Sequence, residues 1–348
     1  MSLVATLRTE IVANLGTTVM RDEWRVTRWG ILNATKEMTE SANSIVNANI
    51  KEKALKSEGI DLKIPVVKKG DLTVKNQRSC LIGSYENESE MVEVTWTTLV
   101  YDISMIPSQY KDNYVSYLED FRLKLNLVEE GFGREIEQII IAKLEAEKSG
   151  IYNSPLASNP YSVVGDTLQV PLAQRPTFFN DLSVIMQGDD LYSVPYKVLG
   201  TTTLQSPVNH YINQGGGNAT NTQYQFGDYD FRFSNALPVS AGKFASGFVM
   251  PDGSIGLLTR INEDARKGHS TTKGTVWETD TIAGLGIEVG VMSYSECDDM
   301  SANAGLEHLT ATKVEKWQFS VDVAVITPYN SDPLTKAGAI KKFDFDVV

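Results

Sequence analysis

The stretch from Val92 to Gly150, VEVTWTTLVYDISMIPSQYKDNYVSYLEDFRLKLNLVEEGFGREIEQIIIAKLEAEKSG, carries two periodicities in succession. In its first part Val92, Val94, Trp96, Thr98 and Val100 alternate with Glu93, Thr95 and Thr97. A period of two places each set on its own face, so Val92–Ile106 reads as a half-buried strand ended by Pro107. Beyond the proline, Tyr114, Leu118, Phe121, Leu125, Val128, Phe132, Ile136, Ile140 and Leu144 recur at steps of three and four. This spacing predicts one helix over Gln109–Lys148, about 60 Å long at about 1.5 Å per residue. Gly131 and Gly133 fall in its interior, where each costs about 1 kcal/mol relative to Ala. They mark a bend in the helix, a break, or the close approach of a neighbour.

On the N-terminal side, Ile64, Pro65 and Val66, then Leu72 and Val74, read as two short strand-like runs with a turn at Gly70–Asp71. The near arm of this hairpin carries Lys63, Lys68, Lys69, Lys75 and Arg78; the far arm carries Glu86, Glu88, Glu90 and Glu93. A long polar hairpin has little apolar surface of its own to bury and is expected to lie on a neighbour. Further upstream, Leu3, Leu7, Ile11 and Leu15 form the apolar side of a short helix stopped by Gly16. Trp24 and Trp29, among Arg21, Arg25 and Arg28, suit a tethering arm whose tryptophans pack on something. Lys36–Lys56 suits a weakly periodic helix.

On the C-terminal side, Pro176 opens a helix that buries Phe178, Phe179, Leu182, Ile185 and Met186 and ends at Gly188. Short apolar runs follow at Tyr196–Leu199, Tyr224–Phe233, Phe244–Met250 and Ile287–Tyr294, which makes this half mixed α+β. Gly215, Gly216 and Gly217 lie in an expected loop between Asn209 and Gln223. Late in the chain, Trp317, Phe319, Val321, Val323 and Val325 alternate with Gln318, Ser320, Asp322 and Ala324 in a strand ended by Pro328. That strand suits pairing with the one that precedes the long helix.

The 348 residues suit about two domains, and a hydrophobic share of 42% is enough for a core. A net charge of −12 argues against a sequence-independent nucleic-acid binder, which needs clustered Lys and Arg. Cys80 and Cys297 are too few for a disulfide framework. The N-terminus lacks the pattern of a secretory signal, and no apolar run reaches membrane-span length.

Chemistry is hard to assemble from these residues. His210, His269 and His308 have no partner at metal-ligand spacing, and neither cysteine lies near a second ligand. Gly253-Ser254-Ile255-Gly256 lacks the spacing of a nucleophile elbow and follows Pro251–Asp252, which reads as a turn. Gly284, Gly286 and Gly290 are one residue off a dinucleotide fingerprint and read as turn and strand glycines. Asp189–Asp190, Asp298–Asp299 and the Asp228/Asp230 pair fall in apparent loops and read as solvated charges or a weak calcium contact. The expectation is no enzyme, with no catalytic residues, no cofactor and no metal.

An arm, a charged hairpin, a strand, one very long helix, an α+β region and a returning strand follow in that order. In this layout the chain resembles the major capsid proteins of tailed bacteriophages, the Hong Kong-97-type fold shared with encapsulins. The residues that carry the resemblance are Val92–Ile106 leading through Pro107 into Tyr110–Leu144, and Thr177-Phe178-Phe179-Asn180-Asp181-Leu182. Ala245-Ser246-Gly247-Phe248-Val249-Met250-Pro251-Asp252-Gly253-Ser254 and the strand Trp317–Thr327 support it. The resemblance implies an α+β fold with an N-terminal arm at 1–57, an extended loop at 58–91 and a peripheral domain with spine helix at 92–175. It places an axial domain at 176–303 and a returning peripheral strand with the C-terminus at 304–348.

The implied function is a structural protein that self-assembles as hexamers and pentamers into an icosahedral shell around double-stranded DNA. Its partners would be a separate scaffolding protein, a portal and decoration proteins, with no membrane and no specific DNA contact. Its place would be the virion, after assembly in the host cytoplasm. Some relatives join a loop lysine to a neighbour's asparagine; Lys68 or Lys69 is the position for that here. With Met1 directly at the arm, no fused scaffold is expected. Two rival readings are an encapsulin-like nanocompartment shell and, from another class, a β-rich carbohydrate-binding or adhesin module using aromatics among Tyr192–Tyr229.

Overall fold

The computed structural model describes residues 29–57, 62–67, 89–110, 116–193, 195–214, 225–226, 228–271, 274–282, 284–299, 302, 312–329 and 336–347. The expected helix at Ser2–Leu15, the turn at Gly70–Asp71, the triglycine at 215–217 and His308 lie outside them.

The elements begin with α1 (Gly30–Glu40), α2 (Ala48–Leu55), β1 (Lys63–Val67), β2 (Ser89–Glu93), β3 (Thr97–Met105) and α3 (Tyr117–Ala146). Next come β4 (Ser162–Val164), β5 (Thr167–Val170), α4 (Phe178–Gly188), β6 (Tyr196–Thr201), α5 (Gln205–Gln214), β7 (Gln225–Phe226) and β8 (Tyr229–Ser234). The chain continues through β9 (Lys243–Pro251), β10 (Gly256–Arg260), α6 (Glu263–Lys267), β11 (Val276–Ile282), β12 (Ile287–Asp298), β13 (Thr312–Ile326) and β14 (Lys341–Asp346).

The long helix is real but shorter than its apolar stripe suggests. A capping box starts α3: Glu119 N donates to Ser116 Oγ, and Ser116 N donates to Glu119 Oε2. Satisfying those amides fixes the start at Tyr117, and 30 residues span about 45 Å. Residues 107–110 form a separate 3-10 turn. The helix runs unbroken through Gly131 and Gly133, which rules out a break, and a neighbour approaches closely at Gly133. A Cβ on Gly133 would stand 2.5 Å from the Trp29 ring, and one on Gly131 would stand 3.5 Å from Tyr101.

The single strand expected over Val92–Ile106 is two. β2 belongs to a ribbon with β1, residues 94–96 leave it, and β3 joins another sheet. The inward face changes phase at the junction. Val94 is buried inside the first part, whereas Ile103 and Met105 are buried in the second and Val100 is exposed. The helix expected over Lys36–Lys56 is likewise α1 and α2, because residues 41–47 cross the turn between β9 and β10. Ile45 N donates to Gly253 O at 3.0 Å and Ser41 Oγ to Asp252 Oδ2 at 2.7 Å.

Three sheets follow. β1 and β2 form an antiparallel ribbon. A five-stranded antiparallel sheet runs β10-β13-β12-β11, with β3 on the opposite side of β13. Trp317 lies opposite Ile103 and Phe319 opposite Tyr101, so the late strand does return to the one before the long helix. A seven-stranded mixed sheet runs β4-β5-β14-β9-β6-β8-β7, with β14 parallel to β5 and β6 parallel to β8. The boundaries expected at 175/176 and 303/304 therefore cut across both larger sheets. β10 and β12 pair with β13, β11 pairs with β12, and β14 inserts between β5 and β9. Long-range pairing, which adjacency along the chain does not reveal, decides the grouping.

The seven-stranded sheet is covered on both faces. Alternate residues go to different clusters: Leu199 and Phe248 join α1, α3 and β13, while Val198 and Val249 join α4. All five residues expected on the buried side of α4 are buried. Phe121, Val128, Phe132, Ile136, Ile140 and Leu144 form the buried stripe of α3. At about 1.5–3 kcal/mol for each fully buried large side chain, this stripe is a main source of the helix's stability.

Candidate assembly surface

Of the charged residues singled out in the sequence, Lys63, Glu90 and Glu93 are described, and they lie on the β1–β2 ribbon. Its base is anchored apolarly: Leu62, Val94, Ile64 and Trp96 join Val46, Ala54, Leu258 and Ala324. Val94 N donates to Leu62 O at 2.9 Å, and the Arg260 guanidinium sits 4.2 Å from the Trp96 ring centre. The other face looks outward. Val67 and Met91 are 61% and 59% exposed, so the ribbon carries apolar surface in addition to charge.

Lys63, Glu90 and Glu93 are all exposed on this ribbon. Lys63 and Glu93 are register partners across the ribbon, one from each arm. Glu90 Oε2 accepts from Tyr329 Oη at 2.6 Å. Lys68, Lys69, Lys75, Arg78, Glu86 and Glu88 lie outside the described residues. An open cleft of about 570 Å³ at the ribbon's foot brings Lys53 and Lys56 of the α2 end beside Lys63, with Leu62 and Ser57 also lining it. The sequence reading missed these two lysines, although Lys51, Lys53 and Lys56 already formed a basic run on a short helix.

Two carboxylates read as solvated loop charges are buried ion-pair members instead. Asp189, the C-cap of α4, lies 2.8 Å from Lys341 Nζ, with side chains 0% and 2% exposed. Asp189 Oδ1 also accepts from Asn153 N and Nδ2, while Lys341 Nζ donates to Ile151 O. Burial pushes the Lys341 ammonium below its ordinary pKa, against the pull of Asp189. Asp230, on β8, pairs with Lys197 at 2.5 Å, and Lys197 and Arg232 both reach Glu37 on α1. In each case the sequence hid the burial because the partner lies far along the chain. Asp298 pairs with Lys316 at 3.0 Å.

Among the described residues no group of three or more His, Cys, Asp or Glu could hold a metal ion. Gly284 and Gly286 form the turn between β11 and β12, and Gly290 lies within β12, as read from the sequence. Ser254 N donates to Pro251 O in the turn expected there. No described helix is long and apolar enough to cross a membrane.

No protein-family model matches the sequence, and no curated protein matches it. Solved structures do match in fold, among them chains of phages. Over 97% of this chain and 99% of the other, it is similar to a chain of Microbacterium phage Oxtober96, with 12% identity and a TM-score of 0.51. A chain of Mycobacterium phage Che8 matches over 95% and 96%, with 10% identity and a TM-score of 0.50. The asymmetric unit of the bacteriophage PhiM1 mature capsid aligns over 96% and 91%, at 8% identity and a TM-score of 0.48. The α+β fold expected from the resemblance is thus the fold of phage structures along nearly the whole chain.

Proposed function

We propose that this chain is a tailed-phage major capsid protein that assembles into an icosahedral shell enclosing double-stranded DNA. The observation that carries the reading is the end-to-end fold match with the Oxtober96 and Che8 chains. It is supported by the ribbon, whose outward face leaves Val67 and Met91 in water in a lone subunit. The role is architectural, and the partners are further copies as hexamers and pentamers, a scaffolding protein, a portal and decoration proteins. The protein belongs to the virion after assembly in the host cytoplasm.

In this reading Lys63, Lys68, Lys69, Lys75 and Arg78 meet acidic groups of a neighbour, and Glu86, Glu88, Glu90 and Glu93 meet basic ones. Such pairs set register and partner choice more than affinity. Repeated heterologous contacts close into a shell when their rotations close. The acidic protein also repels the genome from the wall, leaving it free to exit. Negative-stain electron microscopy of the expressed protein, alone and with the neighbouring scaffold gene, tests this. Rings, tubes or shells are expected; monomers alone, across protein concentration and salt in both preparations, would refute it.

A further inference from the structure

The first turn of a helix leaves N–H groups without intrahelical acceptors. α1 has no cap of its own, since Trp29 precedes it and offers no side-chain acceptor. The acceptor comes from the middle of α3. Glu137 accepts from Ile31 N at 2.9 Å and Leu32 N at 3.2 Å through Oε1, and from Ser234 Oγ at 2.8 Å through Oε2. Its side chain is sealed in a fitted socket. Trp29 packs against Gly133 one turn away, Gly30 has no room for a Cβ beside the Phe233 carbonyl, and Glu137 is 1% exposed.

We propose that Glu137 is a proton-controlled latch that sets how firmly the start of α1 is held against α3 and β8. It thereby fixes the point at which the upstream chain enters the body. Both protonation states fit the socket. Ionised, the carboxylate accepts from all three donors; protonated, Oε1 keeps the two amides while the Oε2 hydroxyl donates to Ser234 Oγ. The states differ in desolvation. Burial raises the Glu137 pKa above the ordinary carboxylate value, against the lowering effect of the bonds from Ser234, Leu32 and Ile31.

The charged groups on the packed elements are engaged elsewhere. Lys36 of α1 donates to Leu285 O, Glu37 pairs with Lys197 and Arg232, and Asp230 pairs with the same two cations. On α3, Arg134 and Glu135 are exposed. Because the folded-state pKa is raised, the docked state binds the proton more tightly than the released one. The latch is therefore tightest below the ordinary carboxylate range and loosens as pH rises through the raised value. This holds independently of the shell reading.

Hydrogen exchange of the full chain, read by mass spectrometry on peptides covering 29–40 and corrected for intrinsic rates, tests the latch. The wild type should open severalfold more often at about pH 7.5 than at about pH 4, below the ordinary carboxylate range, while peptides over α4 show no such difference. In Glu137→Gln, which keeps an acceptor and donates to Ser234, protection should persist and the pH difference should vanish. The same pH dependence in both proteins, or none in the wild type, overturns the proposal. If Glu137→Gln does not fold, Ser234→Ala serves. It removes a donor to the ionised form, so opening near neutral pH should rise severalfold, and an unchanged profile would equally overturn the latch.

Discussion

Gly131 and Gly133 sit two residues apart on α3 yet meet different neighbours. At Gly131 an added methyl would make ordinary contact with Tyr101, so Gly131→Ala should stabilise the subunit by up to about 1 kcal/mol through helix propensity. At Gly133 the same methyl runs into the Trp29 indole, which must move out of the main core. Gly133→Ala should cost about 1–3 kcal/mol, the usual penalty for overpacking. Urea denaturation of unassembled subunits separates the two; equal effects would show that propensity alone governs both sites. The Lys341–Asp189 pair gives a second residue-scale test. Lys341→Met leaves a buried carboxylate with its cation gone and should cost about 3–5 kcal/mol, whereas also replacing Asp189 with Asn should recover part of it. A double-mutant cycle by urea unfolding measures that recovery, and a fully additive cycle would mean the two groups are not coupled.

Among the elements, the ribbon is where the proposed assembly role can be tested. Single exposed ion pairs are worth about 0–1 kcal/mol, so one lysine change there should do little. On the proposed reading, reversing Lys68, Lys69 and Lys75 to Glu repeats a like-charge clash at every interface. The expected product is a subunit of near-wild-type melting temperature that forms no shells at low salt and partly recovers at high salt. Normal assembly at low salt would remove the charged loop from the mechanism. Elements with an uninterrupted apolar period were legible in the sequence: α4, β13 and the body of α3 stand where the spacing puts them. Val92–Ile106 misled because its alternation continues across a join between two sheets, and only the neighbours on each side reveal the change of face. β14 was invisible for another reason. Lys341 and Asp344 are buried among Phe343 and Phe345, so a fully internal strand reads as half polar. The candidate site was legible as charge and opaque as geometry, since Lys53 and Lys56 join Lys63 only through the packing of α2 beside β1.

For the molecule as a whole, β14 is the strand on which the seven-stranded sheet depends. It separates β5 from β9, and its Phe343 and Phe345 fill the α4 cluster. A chain cut after Ile340 should therefore fail to fold, while an extension after Val348, next to Val347, which is 54% exposed, should be tolerated. Solubility and circular dichroism of the two products check this, and a folded truncation would show that the sheet closes without its inserted strand. The same placement governs timing on the ribosome. Until residue 346 emerges, β5 and β9 have no strand between them, and the nascent subunit has no finished body.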